Sequence, residues 1–417
     1  MPVSNNPFRP TQPVYPGMFA GRLKEIDRIE KILIETRDGN PTDVLIIGER
    51  GIGKTSLLLM AKSIAKHGSM DGKVKLDFLT CFVPLDRHCG VADLARKIST
   101  NLERALSESQ PAIQFLKNLW QFVHRIEISG SKIAQVGISG DAELFDNFSF
   151  SIIDTVKNLT DRDSATKILG LASPKDGLVI FLDEADNAPA ELDLGTLIKQ
   201  LSEKLVAEQC NNVLVVVAGL PQVRDVLKAS HGSALRLFEE IELEPLSHQD
   251  IKYVIDRGLN IANKTNENQV KITDQALSEI VTFSEGYPHF VQQFGYCAYE
   301  VDDDDIIDST DVNAAALKAL DLIGDKYYKD MYYKRIKEDS YRQVLNIMAE
   351  KFNSWITKDE IRQSFRGKKT TLDNAINALI DRNIILRKTD AKGKYRLQWA
   401  GFALWIKLLA DKQRKLL

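Results

Sequence analysis

Residues 48–55 read Gly48-Glu49-Arg50-Gly51-Ile52-Gly53-Lys54-Thr55 and fit the pattern G-x-x-x-x-G-K-[ST] without mismatch. This octapeptide constrains the chain more than any other feature. Its glycines allow backbone torsions that other residues resist, so successive N–H groups can converge on one anion. The pattern needs a strand before it and a helix after it. Both are present as sequence signals. Asp43 to Gly48 is a short apolar run rich in β-branched residues, which predicts a buried strand. From Lys54 onward Leu57, Leu58, Ala61, Ile64 and Ala65 recur at helical spacing. A strand, a glycine turn and a helix N-terminus make a phosphate site. Lys54 brings a charge to the β- and γ-phosphates, and the Thr55 hydroxyl, followed by Ser56, suits magnesium.

A second apolar run, Leu178 to Leu182, ends in Asp183-Glu184. Ligands of open α/β sheets sit at the carboxyl ends of the strands, where this pair would emerge. There Asp183 can hold the metal shell and Glu184 can orient or deprotonate water. Further strands are expected at 78–85, 213–218 and 240–243, with helical patterns between them, which predicts a largely parallel three-layer α/β sheet.

The rest of the chain reads in segments. Residues 1–18 hold five prolines before Gly17 and predict an extended arm. Residues 19–246 form the α/β core, with an insertion at about 111–171 in which the alternation over Ile126–Ser139 predicts a β-hairpin. Residues 247–337 are helical throughout, a lid and connecting helix. Residues 338–417 read as three helices followed by a two-stranded ribbon, the order of a winged helix.

Charge is uneven. Residues 340–417 carry 17 Lys and Arg against 7 Asp and Glu, so +10 beside −13 for the remainder. A basic terminal domain attracts polyanions. In a winged helix the third helix enters the major groove by its first residues, here Lys368, Lys369, Thr370, Thr371 and Asn374. Lys392 and Lys394 sit on the expected wing, suited to phosphate contacts. The aromatic residues Trp399, Phe402 and Trp405 are expected in the core. Cys81, Cys89, Cys210 and Cys297 show no C-x-x-C spacing, which excludes a cysteine zinc site and fits the reducing cytoplasm. No run of about 18 apolar residues is present, so no membrane span is expected.

The chain resembles the AAA+ superfamily of P-loop ATPases, in particular its initiator-like and signal-transducing (STAND-type) members. The resemblance rests on Asn6-Pro-Phe-Arg-Pro with Phe19-Ala-Gly-Arg22, the phosphate loop, Leu182-Asp-Glu184 and Glu285-Gly-Tyr-Pro-His-Phe290. It implies an AAA+ core with a helical lid and a C-terminal winged helix, binding ATP or ADP with Mg²⁺. It places Arg22 beside the nucleotide, Pro288 on the adenine, and Arg236 toward a neighbour's γ-phosphate. Two departures stand out. Gly219 closes the fourth strand where many members carry a polar residue, and Gly286-Tyr287-Pro288 replaces the lid arginine. Slow hydrolysis is therefore expected. The expected role is an ATP-driven switch that positions the winged helix on duplex DNA. The alternative is a STAND-like signalling or defence module, in which the winged helix packs on the core and the partners are proteins.

Overall fold

A computed structural model of the chain describes residues 5–14, 19, 21–69, 72–123, 139–266, 269–324, 328–329, 331–351, 354–382, 384–388, 393–398, 402–403, 405–407 and 409–410. They group into two compact units: residues 15–49 with 53–244, and residues 1–14 with 50–52 and 245–417.

The first unit is built on one sheet. Strands β1 (Asp43–Ile47), β2 (Leu79–Pro84), β3 (Leu178–Asp183), β4 (Val213–Gly219) and β5 (Phe238–Glu242) lie in the order β2-β3-β4-β1-β5. Every neighbouring pair is parallel. β3 and β4 are buried at every position, and β1 at all but its first. Continuous apolar strands are what a sheet covered on both faces requires. Val, Ile and Leu supply that surface; helix Leu23–Arg37 precedes β1, and helices Lys54–His67, Val91–Ala105, Leu194–Ala207 and Val223–Ser230 lie between the strands in sequence.

β5 begins at Phe238, two residues earlier than its apolar pattern predicts, because Phe238 pairs with Asp43 in register. It is an edge strand, and its acidic side chains are held by arginines. Glu239 bonds to Arg28, and Glu240 accepts from Arg224 Nη2 at 2.8 Å.

The insertion is helical where it is described. Ser109 caps helix Gln110–Leu119 by accepting from Ala112 N at 3.3 Å. Helix Ser139–Thr160 follows. Trp120 is fully buried against Phe148 edge-to-face, and its indole N–H donates to Thr155 Oγ1 at 3.2 Å. The expected hairpin over 126–138 lies outside the described residues, and Ser139 begins a helix.

In the second unit, helices His248–Thr265, Asp274–Ser284, Pro288–Val301 and Ser309–Ile323 surround the short parallel pair β6 (Lys271–Ile272) and β7 (Ile306–Ile307). Ser247 and Asp250 form the capping box of the first helix. The proline-rich arm is anchored in this unit. Phe8 is 2% exposed, and a Cβ added at Gly258 or Gly295 would come within 2.7 or 3.0 Å of its ring. Arg9 N donates to Gln292 Oε1, and Asn6 Nδ2 to Tyr296 O.

The same unit holds helix Asp339–Glu350, β8 (Ile356–Thr357), helices Lys358–Ser364 and Lys369–Asp381, then β9 (Ile385–Arg387) and β10 (Lys394–Leu397). The sheet is antiparallel in the order β8-β10-β9. A third strand, β8, thus joins the predicted ribbon, and the elements run helix, strand, helix, helix, strand, strand. Phe402 and Trp405 are buried and stacked 6.0 Å apart, as expected of core residues; Trp399 lies outside the described residues. No helix among the described residues is long and apolar enough to cross a membrane. All four cysteines are buried free thiols. Burial pushes Cys81 up to about 12 and Cys210 to about 11.

Candidate nucleotide site

The sheet order explains how distant residues meet. β4 lies between β1 and β3, and all three run in one direction. The loop after Ile47 and the carboxylate ending β3 therefore emerge at the same edge. The loop turns through Gly51 (φ 80°) and Gly53 (φ 100°), both left-handed, and Gly53 caps helix Lys54–His67. A side chain at either position would be strained.

Lys54 Nζ bends back to donate to Gly48 O at 2.8 Å and Glu49 O at 3.0 Å. Thr55 Oγ1 donates to Asp183 Oδ2 at 2.7 Å, across 128 residues of sequence. Asp183 is 4% exposed, and its second oxygen accepts the Glu184 N–H at 2.9 Å. That bond holds Glu184 in the left-handed region, φ 55°, and leaves its carboxylate exposed. The backbone strain has a structural use: it turns Glu184 out of the strand direction while Asp183 stays in line with Thr55.

Asp186 is a positioning residue that the sequence pattern does not single out. Its Oδ1 accepts the Leu220 N–H at 2.8 Å, tying the turn after β3 to the end of β4. A Cβ on Gly219 would stand 3.0 Å from that oxygen and 2.9 Å from Val223 Cβ. The small residue closing β4 thus makes room for Asp186. The signal in the sequence is the third acid of Asp183-Glu-Ala-Asp186.

The remaining predicted residues fall as follows. Glu49 and Ser56 are half-buried, Arg50 is exposed and Ile52 is buried. Arg22 is buried, precedes helix Leu23–Arg37 with φ 62°, and lies 3.4 Å from Glu25. Arg236 is exposed on the turn Ala234–Leu237 just before β5. In the second unit Pro288 is the first residue of helix Pro288–Val301, where its missing N–H costs nothing. Gly286 sets that helix start. Its carbonyl accepts the Leu246 N–H at 2.8 Å, and a Cβ there would lie 2.5 Å from Leu246 O.

The lysine, the hydroxyl, the two acids and the loop describe one chemistry: a phosphate cradle with two oxygen donors beside it. Residues 18–216 match the model of the AAA ATPase domain family. This part of the chain is an AAA ATPase domain. Its fold is similar to that of the ORC2 protein of Aeropyrum pernix in its ADPNP-ADP complexes. The TM-score is 0.56 at 13% identity, covering 98% of each chain. The ADP form of that protein gives 0.52 at 13% identity, covering 98% of this chain and 97% of that one. The Aeropyrum pernix ORC1 protein in complex with DNA gives 0.44 at 15% identity over 96% and 95%. No curated protein matches the chain. The family match thus takes in β1, β2, β3, most of β4, the phosphate loop and Asp183-Glu184, and the likeness in fold to the ORC2 protein extends over 98% of the chain.

Proposed function

We propose that this AAA+ chain is a slow nucleotide switch that binds ATP with Mg²⁺ and uses its nucleotide state to position the basic C-terminal domain on duplex DNA. The observation that carries the nucleotide reading is the Thr55 to Asp183 contact at 2.7 Å, beside Lys54. Two hard oxygen donors side by side fit Mg²⁺, which takes few protein ligands and shares the rest with water and phosphate oxygens. Bound there, the ion would neutralise charge on the phosphates. The chain's residues supply the rest. Gly48, Glu49, Arg50, Gly51, Ile52 and Gly53 offer the loop backbone, Lys54 the point charge, and Thr55 and Asp183 the metal contacts, with Ser56 following. Glu184 holds a water or takes its proton. Arg22 is assigned to the base side of the nucleotide, and exposed Arg236 to a neighbour's phosphate.

Hydrolysis is slow in this reading. Gly219 brings no polar side chain to the end of β4, so less charge faces the phosphoryl group. The DNA part rests on the domain spanning about 338–417. Lys368, Lys369, Thr370, Thr371, Asn374 and Asn377 form an exposed stripe on the third helix, opposite buried Leu372, Ala375, Ile376 and Leu379. Asp373 points away from that stripe into an ion pair with Lys358 at 2.5 Å. Lys394 is exposed on β10, and Lys392 lies outside the described residues. In the second reading the chain is a STAND-like signalling or defence module whose partners are proteins and not DNA, and the same cations serve those partners. Anisotropy of a labelled duplex with the full chain, across a salt series with ATP and with ADP, tests the proposal. A steep salt dependence that differs between nucleotides is expected. No binding at low salt with either nucleotide overturns the DNA part in favour of protein partners.

A further inference from the structure

The C-terminal sheet has two faces, and they differ in side-chain chemistry. In register, Thr357 faces Lys394 and Ile356 faces Tyr395, so Trp355 continues β8 opposite Arg396. Ile356, Ile385, Tyr395 and Leu397 are buried and form the inner face. Strand alternation sends Trp355, Thr357, Lys394, Arg396 and Lys388 to the outer face. There Arg396 Cζ lies 5.2 Å and Lys388 Nζ 5.9 Å from the Trp355 ring centre. The indole is half-buried and Lys394 is exposed. Glu360, which interacts with Lys394 of this face, is taken up by the Thr357 capping box, accepting from Thr357 N at 2.8 Å.

An aromatic ring among three cations on a sheet face matches the chemistry of unpaired nucleotides. Every base offers a π face to an indole or a guanidinium plane, and every linkage brings a phosphate. We propose that this outer face is a platform for single-stranded nucleic acid. A base stacks on Trp355 or on the Arg396 guanidinium, while Lys388 and Lys394 meet the adjoining phosphates. Charge complementarity selects this occupant, and the flat indole selects bases over a bare polyanion. The platform is separate from the stripe on helix Lys369–Asp381. It rests on the nucleic-acid reading of this domain but not on the duplex contacts themselves.

The test uses the full chain and three labelled probes: an oligo-dT strand, an abasic strand of equal length, and a duplex. Oligo-dT should bind more tightly than the abasic strand. Trp355→Ala should weaken oligo-dT roughly tenfold or more and leave the duplex and ATP turnover unchanged, while Trp355→Phe keeps most of the affinity. Equal binding of oligo-dT and abasic strands by the parent protein overturns the platform, and needs no variant to fold. So does a Trp355→Ala protein that binds oligo-dT as the parent does, or displacement of oligo-dT by polyglutamate as readily as by unlabelled strand. A parent protein that binds oligo-dT over the abasic strand but fails to bind the duplex would support the platform and count against the helix stripe alone.

Discussion

Thr55 Oγ1 donates to Asp183 Oδ2 at 2.7 Å, joining the start of the helix that follows β1 to the last residue of β3, two places from β1 in the sheet order. Asp183 is buried, and its other oxygen is committed to the Glu184 N–H. Replacing it therefore removes more than a charge. Asp183→Ala is expected to weaken magnesium-dependent ATP binding by about 1.5–3 kcal/mol, the scale of a charge-assisted contact. Titration of a fluorescent ATP analogue with and without Mg²⁺ checks this. The parent should gain affinity on adding the ion, and the variant should gain little. An unchanged response to Mg²⁺ would remove Asp183 from the metal role.

Glu184 differs from its neighbour in exposure and in backbone. Its carboxylate stands in solvent while its φ of 55° is fixed by the hydrogen bond to Asp183. Glu184→Gln keeps the side chain's size and the backbone bond but cannot take a proton. ATP binding should persist, and turnover should fall by about 10²–10⁴, the usual worth of a general base. Phosphate release measured at saturating ATP decides the matter. Equal turnover in the two proteins would leave Glu184 with no part in the reaction.

Asp43 opens β1 and has no cation among its contacts with the described residues. Its oxygens accept from Val215 N at 2.9 Å and Ser202 Oγ at 3.3 Å. Burial raises its carboxyl from 3.8 to about 6, against the opposing pull of those two hydrogen bonds. The folded state thus holds a proton that the unfolded state has lost between those values. Its contribution to stability is full below 3.8 and is lost as pH rises through about 6. The difference corresponds to about 3 kcal/mol. An amide can accept from Val215 and donate to Ser202, so Asp43→Asn should remove this slope. Thermal melts should show the variant and parent alike near pH 4, with the variant more stable above pH 6. A variant less stable at both pH values would mean that the carboxylate is favoured in its site.

The legible parts of this chain are those where local pattern and tertiary demand coincide. β1, β3 and β4 are apolar at nearly every position because both faces are covered, and their ends are readable to within a residue. The phosphate loop is readable because its glycines answer to backbone torsion alone. Phe8 is not, since an aromatic in a proline-rich arm has no period. Its place is set by the absence of side chains at Gly258 and Gly295, far along the sequence. β8 escapes because its two residues read as the approach to the Thr357 capping box; only pairing with Lys394 and Tyr395 makes them a strand. Asp186 escapes because its role is to bond the backbone of a distant strand end.

The basic domain offers a test with two separable arms. Lys368 caps the third helix without a side-chain bond to it, Lys369 begins the helix, and both are exposed. Asn374 lies one turn further along the same stripe. If the lysines meet phosphates, Lys368→Ala with Lys369→Ala should weaken every duplex alike. The log–log salt dependence should also flatten by roughly 0.9 for each phosphate no longer neutralised. Asn374→Ala should act otherwise, because an amide in the major groove reads a base edge. It should cost about 1–3 kcal/mol on a preferred site, little on others, and so narrow the gap between sequences. Anisotropy across a salt series, with a random duplex and with one selected by the parent protein, separates the two effects. If the lysine pair leaves the slope unchanged, the stripe does not face DNA, and its cations belong to a contact with a protein.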